Sequence, residues 1–137
     1  MTESPRPALV EGHAFEALDW QEVTVEGADW AIEMAVTPRV VNSSGALQGG
    51  LLATLADMVA GTALMRGSDP YARSATTEMH VSFLEAARQG PVVATAHVLR
   101  RGRRTAVVRV DVRDRSAGDI LVATATLSFA VRRAEGA

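Results

Sequence analysis

Residues 48–66 read QGGLLATLADMVAGTALMR, and the fold turns on whether this stretch is a strand or a helix. It has no alternation of period two and few β-branched residues. Leu, Ala and Met dominate it, and these have high helix propensity. Apolar residues fall on every side, which predicts a helix buried all round. Small residues at Ala53, Ala56, Ala60, Gly61 and Ala63 would let a sheet wrap closely against it. Gly67 ends the helix, followed by the turn-forming Ser68-Asp69-Pro70.

The flanks carry the opposite period. Upstream, Trp30, Ile32, Met34 and Val36 sit at every second position with Glu33 facing the other way, the pattern of a strand with one buried face. Phe15 to Val25 reads as a less regular strand, turning at Glu26-Gly27-Ala28-Asp29. Downstream, Thr77, Met79, Val81 and Phe83 alternate with Thr76, Glu78, His80 and Ser82. Pro91 to Leu99 is a further strand. Val108, Val110 and Val112 mark the next, and the odd-numbered run from Leu121 to Val131 marks the last. Residues 100–104 and Asp114 to Asp119 are hairpin connections. Two strands, one long helix and four antiparallel strands make an α+β chain, with one curved antiparallel sheet wrapped around the helix.

A chain of 137 residues is one domain, with a core expected over about 15–131 and loosely held tails at Met1 to Pro7 and Arg132 to Ala137. Apolar residues at 47% and charged residues at 22% fit a packed globule. With no cysteine there is no disulfide framework, thiolate metal site or cysteine nucleophile. All 14 basic residues are arginine, yet the net charge is -2, which argues against nucleic acid as a partner. The opening residues lack the positive end and apolar run of a signal peptide. The most apolar stretch, Gly49 to Met65, is interrupted by Asp57 and is shorter than the ~20 residues of a membrane span. A soluble cytoplasmic protein is expected.

The residues that suggest chemistry lie in 41–57, VNSSGALQGGLLATLAD. A glycine pair at a helix start costs about 1 kcal/mol per residue relative to Ala in a helix interior. The N–H groups there are unsatisfied and lie at the positive end of the dipole. Gly49 and Gly50 would let a ligand oxygen approach the backbone as in an oxyanion hole; the bland alternative is tight packing against the sheet. Asp57 is the only charged residue between Arg39 and Arg66. A buried unpaired carboxylate is expensive and fits a general base or nucleophile. The bland alternative is a structural aspartate bonded to Thr54 or Thr62. Asp57 lies seven residues beyond Gly50, on the same helix face but ~10 Å along the axis. It cannot reach a carbonyl held at its own helix start. A second, antiparallel copy of the helix would bring it there, so a reaction using both elements needs a two-fold dimer.

The pattern N42-x-x-G45-x-x-Q48-G49-G50, with Asp57 nine residues after Gln48 and then the strand TTEMHVSFL over 76–84, resembles the hotdog-fold acyl-CoA thioesterases of the phenylacetate-degradation (PaaI-like) type. The resemblance covers about Phe15 to Val131. It implies a hotdog fold, hydrolysis of an acyl-CoA, no metal or redox cofactor, and a homodimer or a dimer of dimers. It implies that the Gly49 or Gly50 amide polarises the thioester carbonyl, and that Asn42 and Gln48 place that carbonyl or order nearby loops. Asp57 from the other subunit would activate water or attack directly, with Thr76 orienting the water. Such enzymes often carry histidine at Gln48; glutamine can donate a hydrogen bond but does not titrate near neutral pH. Only a positioning role fits it.

The remaining candidates are weaker. His13, His80 and His97 show no metal-ligand spacing, and Ser43 and Ser44 suit a turn or cap. Trp20 and Trp30 suit core or interface positions. Arg100, Arg101, Arg103 and Arg104 form a basic hairpin around Gly102 that either holds coenzyme A phosphates or is a solvated strand end. A non-catalytic acyl-CoA-binding module on the same fold is the rival reading. A hydratase is weaker, since it typically pairs aspartate with histidine and no histidine lies near the motif.

Overall fold

A computed structural model describes residues 10–135. Its order is a short 3-10 turn (Ala14–Ala17), β1 (Trp20–Glu22), β2 (Trp30–Met34), α1 (Gly49–Arg66), β3 (Arg73–Phe83), β4 (Val92–Arg101), β5 (Thr105–Asp114) and β6 (Ile120–Arg132). The strands form one antiparallel sheet in the order β1-β2-β4-β5-β6-β3. It curls around α1 as the hotdog fold requires. Among the described residues, no helix is long and apolar enough to cross a membrane.

Helix α1 begins and ends where its composition predicts. The amides of Leu51 and Leu52 both donate to the Gln48 carbonyl, at 2.9 and 3.2 Å. At the other end a Cβ on Gly67 would overlap the Ala63 carbonyl oxygen, so glycine alone fits there. Leu52, Leu55, Ala56, Val59, Ala63 and Leu64 are buried against the sheet. The expectation of burial on every side is not met in a single chain. Ala53, Asp57, Met58 and Gly61 are half-buried and Met65 is exposed, because one curled sheet covers only one side of a helix. An apolar helix therefore presents an uncovered apolar face.

Two further expectations change. The strand expected over Phe15 to Val25 shrinks to the three residues of β1. The segment before it is a turn: His13 Nδ1 accepts from the Phe15 amide (3.0 Å), and the Glu16 carboxylate accepts from the Gly12 amide (2.8 Å). Conversely, β4 runs past Leu99 to Arg101, so Arg100 and Arg101 are strand residues and the hairpin turn is only 102–104. A register shift between Val98 and Arg100 accommodates the extension, and the Gly102 amide closes the turn on the Thr105 carbonyl at 2.9 Å. Met1 to Pro7 lie outside the described residues. The other end is held further than expected: Arg132 closes β6, and Arg133 reaches both carboxylate oxygens of Asp69 (2.7 and 2.9 Å) and lies over the Tyr71 ring.

The end of β5 holds a residue that periodicity does not reveal, and the connection expected from Asp114 begins one residue later. Asp114 is fully buried and accepts three backbone N–H bonds, from Arg88 (3.2 Å), Gln89 (3.1 Å) and Gly90 (2.8 Å). It ties the β3–β4 connection to the end of β5. Hydrogen bonds to a charged acceptor contribute about 1.5–3 kcal/mol each, and their loss leaves buried donors unpaired. Asp114→Ala should therefore destabilise the fold by about 3 kcal/mol or more, read as a lower urea midpoint. A midpoint within error of the parent chain would show that Asp114 is not a structural clamp.

Candidate active site

The loop before α1 is built around Asn42. Its carboxamide oxygen accepts from the amides of Ser44 (2.9 Å) and Ala46 (3.2 Å), and its backbone amide donates to the Ala46 carbonyl at 2.7 Å. Gly45 closes this turn with φ +76°, a backbone that favours glycine. The loop is fastened to its surroundings at both ends. The Arg88 guanidinium donates to the Ser44 carbonyl, the Leu47 amide to Ala87 (2.8 Å), and the Gln48 amide to Val40 (2.9 Å). Asn42 thus orders the loop, with its oxygen fully employed. Gln48 is exposed at the helix N-cap, and its side chain makes no capping bond.

Gly49 and Gly50 occupy the first turn, whose amides have no carbonyl four residues back within the helix. A Cβ at Gly49 would stand 3.5 Å from the Phe83 ring, an ordinary contact, and a Cβ at Gly50 would meet nothing within 4 Å. Packing inside the chain therefore does not demand glycine at either position. The tight-packing explanation therefore has no support within the chain.

Asp57 is half-buried on the open face of α1 rather than deeply enclosed. Its carboxylate oxygen Oδ1 accepts from the Thr76 hydroxyl at 2.6 Å. Thr54 and Thr62 do not compete for it, since their hydroxyls donate to the helix carbonyls of Gly50 (2.9 Å) and Met58 (2.8 Å). Thr76 owes its position to a bulge. The β3–β6 register pairs Thr76 with Phe129 and Glu78 with Ser128, so Thr77 is an extra residue. Such bulges locally re-aim side chains. The Thr77 hydroxyl donates to the Ser128 carbonyl at 3.1 Å. The resemblance puts Thr76 in the site as the residue that orients the water; its direct bond to Asp57 and the bulge at Thr77 have no further signal in the sequence than the adjacent threonines.

Within one chain the predicted residues form two separate groups. Asp57 and Thr76 meet; the Gly49 and Gly50 amides lie a further ~10 Å along the helix. Between them the open face of α1 continues into β3, the last strand of the sheet. Its outer edge has no partner strand among the described residues, and Phe83 at its end is 55% exposed. The arginine hairpin lies at the opposite end of α1 from the glycines. The Tyr71 hydroxyl, just beyond the helix, donates to the Gly102 carbonyl at 2.6 Å. Arg101 is half-buried and bonds the Asp69 carbonyl (3.1 Å), whereas Arg100, Arg103 and Arg104 are exposed.

His13 caps the 3-10 turn, His80 is exposed on β3 and His97 is half-buried in β4, far apart in the sheet order. Trp20 and Trp30 pack on the margin of the core, with Arg66 over the Trp30 ring at 5.3 Å.

Residues 44–121 match the thioesterase superfamily. Human acyl-coenzyme A thioesterase 13 is 31% identical over 127 residues, covering 88% of this chain and 90% of that protein. The crystal structure of zebrafish thioesterase superfamily member 2 superposes with a TM-score of 0.72 at 27% identity, over 82% of this chain and 80% of that one. A thioesterase from Haemophilus influenzae shares the fold with a TM-score of 0.79 at 21% identity, over 90% and 85% of the two chains.

Proposed function

This chain belongs to the thioesterase superfamily, and on that premise we propose that it hydrolyses an acyl-CoA to a free acid and coenzyme A, in PaaI-like fashion, at sites shared between two copies of the chain. The observation that carries this reading is the Asp57–Thr76 pair on the uncovered helix face, at 2.6 Å. A carboxylate held by a hydroxyl, on a face the chain itself leaves open, is oriented toward something that arrives from outside. The glycine pair complements it, with amides free to receive a developing oxyanion at a helix N-terminus.

In the proposed reaction the thioester carbonyl oxygen lies on the Gly50 amide, with Gly49 beside it. Asp57 of a second copy removes a proton from water, and the water oxygen bonds to the carbonyl carbon. The tetrahedral intermediate then collapses, breaking the carbon–sulfur bond and releasing coenzyme A as thiolate, which takes up the proton. Attack by the carboxylate itself, through an anhydride that water later opens, uses the same placement. Thr76 orients the attacking group; Asn42 and Gln48 act on the loop that presents the amides. The chemistry asks for no metal or redox cofactor, and a cytoplasmic setting supplies the substrate.

The same surfaces support a homodimer. An antiparallel second helix against Ala53, Asp57 and Gly61 would cover the open face, and β3 would gain a neighbour along its free edge. A dimer of dimers is the further assembly this family resemblance implies.

The test is thiol release from a panel of aromatic, short-chain and long-chain acyl-CoAs. Turnover of at least one class is expected. Binding of acyl-CoA without thiol release from any of them, by a folded dimer, would favour the non-catalytic binding module instead.

A further inference from the structure

The loop that presents the glycine amides draws little support from its own structure. It runs over residues 35–48 between β2 and α1, and one isolated bridge, Val41 to Leu47, ties it internally. Residues 42–45 at its tip are exposed, and the bonds that Asn42 makes there close on the loop itself. Arg88 reaches this tip from outside. Its guanidinium donates to the Ser44 carbonyl and lies against the Gly45 turn, where a Cβ would stand 3.7 Å from Nη1. Ser44 is thus gripped on both sides, its amide by Asn42 and its carbonyl by Arg88.

The other end of this strut is fixed in the core. The Arg88 amide donates to the fully buried Asp114 at 3.2 Å, and the amides of Gln89 and Gly90 bond the same carboxylate. The preceding residue, Ala87, is buried, and its carbonyl takes the Leu47 amide at 2.8 Å. Residues 87 and 88 therefore hold the loop at two points, at its tip and one residue before the helix N-cap. The Arg88 side chain is exposed, and among the described residues it has no ion-pair partner. A single exposed bond to a neutral carbonyl contributes little to global stability. Its effect is on position.

We propose that Arg88 is a positioning residue for thioester hydrolysis: by holding the Ser44 carbonyl it fixes the 42–48 loop, and so the aim of the Gly49 and Gly50 amides. This rests on the acyl-CoA reading above. Amides stabilise an oxyanion only when they are already aimed at the place where its charge develops. The first-turn amides have no carbonyl four residues back within the helix, and the loop sets how the chain enters that turn. Arg88 acts through Ser44 and need not touch the substrate. The planar guanidinium suits this task, because it loses less freedom per bond than a lysine ammonium.

Two variants test this. Arg88→Met keeps most of the stem and removes the donors; Arg88→Lys keeps a charged donor. In Arg88→Met, amide hydrogen exchange over 42–50 should quicken about tenfold or more, while exchange over 52–64 and Tm stay near those of the parent chain. Turnover should fall with it. A lower kcat by about tenfold or more is expected, within the loss that a misplacement of about 1 Å produces, with KM for acyl-CoA nearly unchanged. Arg88→Lys should recover part of both effects. Unchanged exchange over 42–50 in Arg88→Met would overturn the proposal, as would an unchanged kcat. A fall in Tm with faster exchange throughout α1 would also overturn it, and leave Arg88 as general support for the fold. Faster exchange confined to 42–50, with no thioester turned over by the parent chain, would uphold Arg88 as the residue that fixes these amides and defeat the hydrolase reading.

Discussion

Asp57→Asn or Asp57→Ala should lower kcat by about 10²–10⁴, the usual contribution of a positioned general base, while the protein stays folded and dimeric. Stability should change little, because Asp57 lies on the half-open face of α1 and its side-chain bond among the described residues is the one from Thr76. The loss should therefore appear in turnover and not in Tm. Thiol release by a stopped or continuous assay, beside a melting curve of each variant, separates the two. Near-parental turnover in folded Asp57→Ala would remove the carboxylate from the chemistry and favour the binding-module reading.

The second large effect is a gain. Asp57→Ala and Gly50→Pro should each be inactive as homodimers, the first lacking the carboxylate and the second lacking the Gly50 amide. Proline within the first helical turn takes the place of a donor that has no intrahelical partner, so the helix tolerates it better there than in its interior. When the two chains exchange subunits, the mixed dimer has one site with both intact elements and one with neither. Activity should rise from near zero toward half that of the parent dimer per mixed dimer formed, scaled by the fraction of mixed dimers. Exchange proven by mass or fluorescence with no recovery would place each site within a single chain. The two groups of residues lie too far apart along one helix for that.

Much of the fold was legible because it is written in period. The change from alternation to an unbroken apolar run located α1 to within a residue, and Gly67 ended it as expected. The strands of the second half follow their alternating residues, since burial on one face of a sheet imposes a repeat of two. Phe15 to Val25 misled because local side-chain bonds from His13 and Glu16 stabilise a turn that hydrophobicity does not register. Arg100 and Arg101 looked like a turn from their charge, yet they continue β4 past a register shift, since polar residues are tolerated near the end of a strand.

The sequence by itself determined the class of fold, the position of the helix and the isolation of Asp57 within it, because each depends on local pattern along the chain. It also separates Asp57 from the glycines by ~10 Å of helical rise, which is the ground for proposing a site shared between two copies. Tertiary structure decided the rest. Only folding shows that Thr76, nineteen residues away, rather than Thr54 or Thr62, bonds Asp57, since a bulge at Thr77 re-aims the strand. Only folding shows that Asn42 spends its oxygen on its own loop, that Asp114 is buried under three amides, and that Arg88 reaches the Ser44 carbonyl. Register and burial arise from contacts between residues far apart in the chain, and no local period encodes them.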